Sequence, residues 1–110
     1  MSESNHELII AISERGQTDL VMDAARSGGA RGGTVFNARG TGSKEAEAFF
    51  GITVEPEKEI VMILVSAADK DAVLQHLYDE VGLHTQGQGI AFSMPVDAAV
   101  GLSTPTDAQK

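Results

Sequence analysis

The sequence predicts an α+β fold in which two strand–helix–strand units form a ferredoxin-like βαββαβ sandwich. Two segments with helical apolar spacing each lie between two short apolar segments, and glycine follows each helical segment. The chain has 110 residues, which is enough for one core and too few for two. Both helices would cover one face of a four-stranded antiparallel sheet. We expect one domain over residues 1–102 and a flexible tail over residues 103–110.

The first unit has clear start and stop signals. Residues 8–13 (LIIAIS) are apolar at consecutive positions, which is typical of a strand buried on both faces. Thr18 is the predicted N-cap of a helix whose apolar residues recur at helical spacing. Gly28 is predicted to end that helix in a left-handed conformation. Residues 34–38 then read as the second strand.

The second unit repeats this order. Residues 59–66 (EIVMILVS) predict a strand, Asp69 is the predicted N-cap of the second helix, and Gly82 is predicted to end it. Residues 89–94 (GIAFSM) alternate large and small side chains and predict the fourth strand. The apolar stripe expected on the second helix consists of Val73, Leu74, Leu77, Tyr78 and Val81.

The predicted sheet has a second face that the helices do not cover. The first and third strands are apolar at both odd and even positions, so this second face is also apolar. Left in water, it would exceed the apolar patch that monomeric proteins usually expose. We therefore expect an oligomer built through the sheets.

Composition excludes several classes of function. The chain has 16 acidic and 8 basic side chains and a formal net charge of −8, which argues against nucleic-acid binding. It has no Cys, which excludes disulfides, Cys-ligated zinc and thiol chemistry and fits a cytoplasmic protein. No apolar run approaches the length of a membrane span, and residues 1–7 lack signal-peptide features, so we expect no membrane insertion.

Glycine is concentrated in two places, around the second predicted strand and before the fourth. Nine of the 12 glycines lie there, at positions 28, 29, 32, 33, 40 and 42 and at positions 82, 87 and 89. Such loops can bring backbone N–H groups close to an anion. The alternative is that they are helix ends and turns, because neither a dinucleotide-binding glycine fingerprint nor a P-loop motif is present.

Three segments together resemble the PII signal-transduction proteins, which are small regulators associated with nitrogen and carbon metabolism. The segments are GGTVFNARGTG (32–42), EPEKEIVMILV (55–65) and GQGIAFSMPVDAAVGL (87–102). The resemblance implies a ferredoxin-like homotrimer that binds an adenine nucleotide in clefts between subunits and signals through a long loop after the second strand. It implies no enzymatic activity and no obligatory cofactor; the nucleotide is a regulatory ligand.

The resemblance also implies positions for the nucleotide site. Gly40 and Gly42 match the base of the signalling loop, while Gly87 and Gly89 match a phosphate-facing loop. Adenine would contact Thr34 and Leu64, and Lys58 would reach the phosphates. The nucleotide-binding set expected from this match is Thr34, Arg39, Gly40, Thr41, Gly42, Lys58, Leu64, Gly87, Gln88 and Gly89.

The chain lacks three cationic residues of the family pattern. A family lysine is replaced by Ile90, and two family arginines by Gly101 and Ser103. Charge-assisted contacts contribute about 1.5 to 3 kcal/mol each, so we expect ADP or AMP to be favoured over ATP. A cation from a nearby loop or subunit would change this expectation, and the candidates are Arg15, Arg31, Arg39 and Lys44.

Residues 39–56 form a connection longer than most in compact domains. We expect Lys44, Phe49, Phe50 and Ile52 to contact a protein target such as a transporter or metabolic enzyme. The alternative is that the apolar members pack on their own subunit. Lys44 replaces a family glutamine that helps bind magnesium and 2-oxoglutarate, so that effector is not expected. The loop has no Tyr for nucleotide attachment.

Two other classes of protein share this architecture. A trimeric CutA-type metal-responsive or structural protein would need converging ligands, but the three histidines show no carboxylate pattern, so no metal site is expected. An acylphosphatase-like enzyme would need an Arg in a phosphate-binding loop beside an Asn, for which Asn37 and Arg39 are the candidates. Ser13 and Ser93 have no triad partners in a motif, and we expect no catalysis.

Overall fold

The computed structural model describes residues 2–40, 57–83 and 89–102 and confirms the predicted βαββαβ order. Residues 41–56, 84–88 and 103–110 lie outside these ranges, and with them the predicted partner contacts and the predicted tail. The elements are β1 (Ser2–Glu14), α1 (Thr18–Ser27), β2 (Thr34–Arg39), β3 (Glu57–Ser66), α2 (Lys70–Glu80) and β4 (Gly89–Ala99).

The four strands form one sheet in the order β2-β3-β1-β4. Each neighbouring pair is antiparallel, and β1 pairs with both β3 and β4 along most of its length. Leu8, for example, lies opposite Leu64 on one side and Met94 on the other. The two longest pairings therefore meet on the central strand β1.

The core lies between one face of the sheet and the two helices. Alternate residues of the central strands point into it and are fully or almost fully buried, because successive side chains on a strand point to opposite faces. Burying an aliphatic side chain of this size contributes about 1.5 to 3 kcal/mol. The buried residues include Ile9 and Ala11 of β1, Val61, Ile63 and Val65 of β3, Val21, Ala24 and Ala25 of α1, and Val73 and Leu77 of α2.

All four strands are longer than the apolar pattern predicts, and β1 and β4 are extended most. β1 begins at Ser2 and β4 continues to Ala99, because the two ends pair with each other across a bulge between Glu3 and His6. β4 contains Pro95, which is tolerated because β4 is an edge strand. Backbone pairing, and not side-chain hydrophobicity, extends these strands.

Two predictions about the ends of α1 are wrong. The N-cap is Gln17, and Thr18 is already the first helical residue. Gly28 has a right-handed conformation with φ −89°, and the left-handed residue is its neighbour Gly29 with φ +116°. Gly28 is needed for a different reason, since a Cβ at this position would lie 2.6 Å from the Cα of Val73 on α2.

The predictions for α2 hold at its ends and for most of its apolar stripe. Asp69 is the N-cap, although it makes no side-chain cap hydrogen bond, and Gly82 follows the C-cap with φ +83°. Val73, Leu77 and Val81 are buried, and Leu74 packs against them. Tyr78 does not belong to the core, because 52% of it is exposed.

The second face of the sheet is apolar, as predicted. The strand register places Ile10 between Met62 and Phe92, and Ile12 between Ile60 and Ile90. We call this surface the open face; it consists of Leu8, Ile10, Ile12, Phe36, Ile60, Met62, Leu64, Ile90, Phe92 and Met94.

Over the described ranges, no helix has the length and apolar character needed to cross a membrane.

Candidate ligand-binding site

A polar cavity of about 610 Å³ lies where β2 enters the long loop and β3 leaves it. The strand pairs Arg39↔Glu57 and Ala38↔Lys58 bring the two strand ends together, and Glu14 of β1 lies opposite Lys58 on the other side. We call this the charged cavity; its lining residues are Arg15, Asn37, Ala38, Arg39, Glu57 and Lys58. The sequence analysis included Arg39 and Lys58 in the site; it missed Glu57, which lines the cavity, and Glu14, which contacts Lys58.

Two cations of the charged cavity form ion pairs with carboxylates on neighbouring elements. Lys58 Nζ lies 2.7 Å from Glu14 Oε1, and Arg15 Nη1 lies 2.5 Å from Glu57 Oε2. The Lys58 side chain is only 23% exposed, whereas that of Arg15 is 74% exposed. The Lys58–Glu14 pair is therefore less screened by water and the stronger of the two.

Gly40 lies against the aliphatic part of Lys58. A Cβ at position 40 would approach Lys58 Cε to 3.1 Å and Cγ to 3.5 Å. A side chain at position 40 would require the flexible end of Lys58 to move by a few tenths of an ångström. The structure thus brings together three predicted binding residues, Arg39, Gly40 and Lys58.

A second cavity, of about 850 Å³, lies at the other end of β2. It contains Thr34 and Leu64, the two residues expected to contact adenine, and its lining is both apolar and polar. We call it the Thr34 cavity; its other lining residues are Asn5, His6, Leu8, Gly29, Arg31, Gly32, Gly33, Met62, Val65, Ser66, Asp69 and Leu102. Because β2 separates Thr34 from Arg39 by five residues, the two cavities are about 17 Å apart along the strand.

Gly89 has a structural role that sequence reasoning did not anticipate. Its φ is +136°, and a Cβ there would overlap the carbonyl oxygen of Ile12 on β1. The β1–β4 pairing therefore requires glycine at this position. The other predicted binding residues, Thr41, Gly42, Gly87 and Gln88, and the predicted partner contacts Lys44, Phe49, Phe50 and Ile52, lie outside the described residues.

Glu59 anchors the segment that carries Arg15. The Glu59 carboxylate accepts hydrogen bonds from the Thr18 hydroxyl at 2.5 Å and from the Thr18 backbone N–H at 3.1 Å. The pKa of Glu59 is lowered, and the hydrogen bond from the Thr18 hydroxyl is the largest cause. Hydrogen bonds from the backbone N–H groups of residues 16–18 also lower this pKa, whereas partial burial raises it. This contact ties the turn after β1 to β3 beside the charged cavity.

The described residues offer no cluster of three or more His, Cys, Asp or Glu side chains that could hold a metal ion. His76 bonds instead to Glu80, one turn later on α2. Asn37 and Arg39 do line one cavity, as an acylphosphatase-like site would need, and Glu57 and Lys58 line it with them. The described part of the cavity is suited to bind an anion through its cations.

A sequence model of the family described as nitrogen regulatory protein P-II matches residues 6–105. Among solved structures, the PII protein of Arabidopsis thaliana bound to citrate is 24% identical, with a TM-score of 0.66, covering 86% of this chain and 79% of that chain. A PII-like signalling protein of Thermus thermophilus is 22% identical, with a TM-score of 0.64, covering 86% of this chain and 88% of that chain. No curated protein matches the sequence.

The two structures share the fold of this chain, and the family match covers almost its whole length. The resemblance found in the sequence is therefore confirmed, and with it the signal-transduction class. The chain belongs to the nitrogen regulatory protein P-II family.

Proposed function

We propose that this chain is a non-enzymatic, homotrimeric P-II regulator in the cytoplasm that binds an adenine nucleotide and signals through residues 39–56 to a protein partner. The observation that carries the proposal is the arrangement along β2. Thr34 lies in one cavity with Leu64, and Arg39 lies in the other with Lys58. Because the two cavities of one subunit are about 17 Å apart, further than AMP reaches, the proposed site is a cleft between subunits, where the base contacts the Thr34 cavity of one subunit and the phosphate contacts the charged cavity of its neighbour.

The open face supports an assembly through the sheets. Ile90 is 56% exposed in the single chain, and Phe36, Phe92 and Met94 are also exposed on this face. Covering them with copies of the same face would remove a large apolar area from water, which is the main driving force of association. Such an assembly would also bring the cavity edges of neighbouring subunits together.

The distribution of cations supports a ligand with few phosphates. Arg15, Arg39 and Lys58 line the charged cavity, whereas Ile90 contributes no charge and lies on the open face opposite Ile12. ADP or AMP is therefore favoured over ATP. The Arabidopsis relative was solved with citrate, a small polyanion, so citrate belongs in the same set of test ligands.

The path from ligand to partner is short in this fold. Arg39 ends β2, and Gly40 follows it directly at the start of the long loop. A ligand that contacts this stretch differently in two loop conformations shifts the population between them. Lys44, Phe49, Phe50 and Ile52 are the proposed partner contacts, and a transporter or metabolic enzyme is the proposed kind of partner.

Calorimetric titration of the purified protein tests the ligand. We expect saturable binding near one nucleotide per subunit, with ADP or AMP tighter than ATP, when ATP, ADP, AMP, cyclic adenine nucleotides, citrate and divalent metals are compared. Lys58→Met should weaken nucleotide binding about tenfold, because one charge-assisted contact is lost. Lys70→Met, on α2, is the matched control and should bind normally.

Binding of metals alone would contradict the proposal and favour the CutA-type alternative.

Limited proteolysis tests the signalling step separately. We expect nucleotide to change cleavage between Lys44 and Glu57. Cleavage that is the same with every ligand would count against a signalling role of this loop.

A further inference from the structure

We propose that Glu14 and Glu57 set the charge of the ligand that the charged cavity accepts. They are internal anions that compete with a ligand's phosphate for Lys58 and Arg15. This inference deepens the proposed function, because it concerns the same site, but it depends only on the phosphate group and not on the base.

The position of Glu14 is imposed by the sheet. Glu14 and Lys58 are directly paired across β1 and β3, and their side chains meet at 2.7 Å. Because the backbone pairing holds both Cα atoms, a change of side-chain rotamer leaves the carboxylate near the lysine. A phosphate that binds Lys58 therefore has to displace Glu14 or accept a negative charge close by.

Glu57 bonds to one guanidinium group and is paired through the backbone with a second arginine. Its carboxylate bonds to Arg15 at 2.5 Å, and its backbone position on β3 is paired with Arg39 on β2. Side chains of directly paired residues lie on the same face of an antiparallel sheet within reach of each other. Since the Arg15–Glu57 pair is more exposed than the Lys58–Glu14 pair, Glu57 should be the weaker competitor.

The charge balance then limits the ligand. Among the described residues, Glu57 lines the cavity together with Arg15, Arg39 and Lys58, and Glu14 lies 2.7 Å from Lys58. Each further phosphate on a ligand adds negative charge that the two carboxylates repel, so a phosphate monoester is repelled least. The cavity selects low-charge ligands by repulsion as well as by its small number of cations.

The test uses inorganic phosphate, pyrophosphate and tripolyphosphate, titrated by calorimetry at low ionic strength into the wild-type protein, Glu14→Gln and Glu57→Gln. We expect Glu14→Gln to raise the affinity for tripolyphosphate about tenfold and that for phosphate only about twofold, with smaller gains in Glu57→Gln. The gains should shrink as salt is added, because salt screens the interaction.

Asp71→Asn is the matched control, because it removes a carboxylate from a surface ion pair with Lys70 on α2. It should leave all three affinities unchanged. Glu14→Asp keeps the charge, so its relative affinities for the three anions should match those of the wild type. This variant also provides a test at position 14 if Glu14→Gln does not fold. Equal gains for the three anions, no gain, or the same gain in Asp71→Asn would overturn the inference.

Nucleotide titrations of the same variants separate this inference from the proposed function. Charge-graded gains with the inorganic anions in a protein that binds no adenine nucleotide would support the inference and contradict the proposed ligand. If the protein binds an adenine nucleotide and neither glutamate substitution changes its affinity, the proposed ligand is supported and the inference is contradicted.

Discussion

The hydroxyl of Thr18, at the start of α1, donates a 2.5 Å hydrogen bond to the carboxylate of Glu59 on β3. The same carboxylate oxygen accepts the Thr18 backbone N–H at 3.1 Å. The N-cap residue Gln17 makes no side-chain cap bond. A glutamate distant in the sequence thus satisfies one of the first helical N–H groups, which have no partner within the helix, and its negative charge interacts favourably with the helix N-terminus.

Replacing Glu59 with Gln should make the folded protein less sensitive to acid. The pKa of Glu59 in the folded state lies below its ordinary value of 4.5, so its contribution to stability is present above that pH and is lost as pH falls through the lowered pKa. Urea unfolding from pH 7 to pH 3 measures this. Asp97→Asn, at an exposed carboxylate on β4, is the control. Identical pH dependence in Glu59→Gln and the wild type would contradict the prediction.

Gly28→Ala should destabilise the protein, although alanine is the better helix former. The added Cβ would lie 2.6 Å from Val73 Cα and 2.7 Å from its nitrogen, so α1 and α2 would have to separate. Overpacking of this kind costs about 1 to 3 kcal/mol. In Gly32→Ala the new Cβ meets open space, and the unfolding free energy should change by less than about 0.5 kcal/mol. Equal effects of the two substitutions in urea unfolding would refute this account.

Ser13→Ala should stabilise the protein by about 1 kcal/mol. Ser13 is buried in the core, and its hydroxyl has no hydrogen-bond partner among the described residues. Ser66→Ala is the opposite case, because the Ser66 hydroxyl accepts a hydrogen bond from the Ala68 N–H at 3.1 Å. It should lose about 0.5 to 1.5 kcal/mol. A loss of stability in Ser13→Ala, measured by chemical denaturation, would show that its hydroxyl is satisfied.

Phe92→Asp should dissociate the expected trimer. Phe92 lies on the open face of the edge strand β4, where it pairs with Ile10, and a carboxylate there would be buried without a partner in a sheet-to-sheet interface. Sedimentation velocity should show a trimer for the wild type and a smaller species for the variant. Tyr78→Asp places the same charge on α2, which lies on the other face of the sheet, and should remain trimeric. A monomeric wild type would overturn the predicted assembly.

Local patterns in the sequence predicted the elements better than their ends. Helical spacing and Gly82 located α2, and the apolar run at residues 60–65 located β3. The patterns failed at Thr18 and Gly28, where contacts with β3 and α2 decide what the residue does. They also failed at the first residues of β1, which are polar and become strand only because β4 pairs with them.

The sequence by itself determined the order of the elements, the apolar second face and the family. Tertiary structure alone decided which side chains meet, including Glu14 with Lys58, 44 residues apart, and Glu59 with Thr18, 41 residues apart. The physical reason is strand register. A one-residue slip would move every side chain of a strand to the other face, and β1 and β3 are apolar on both faces, so their pattern does not reveal which residues point to the core. Only the assembled sheet places two glutamates beside the cations of the cavity.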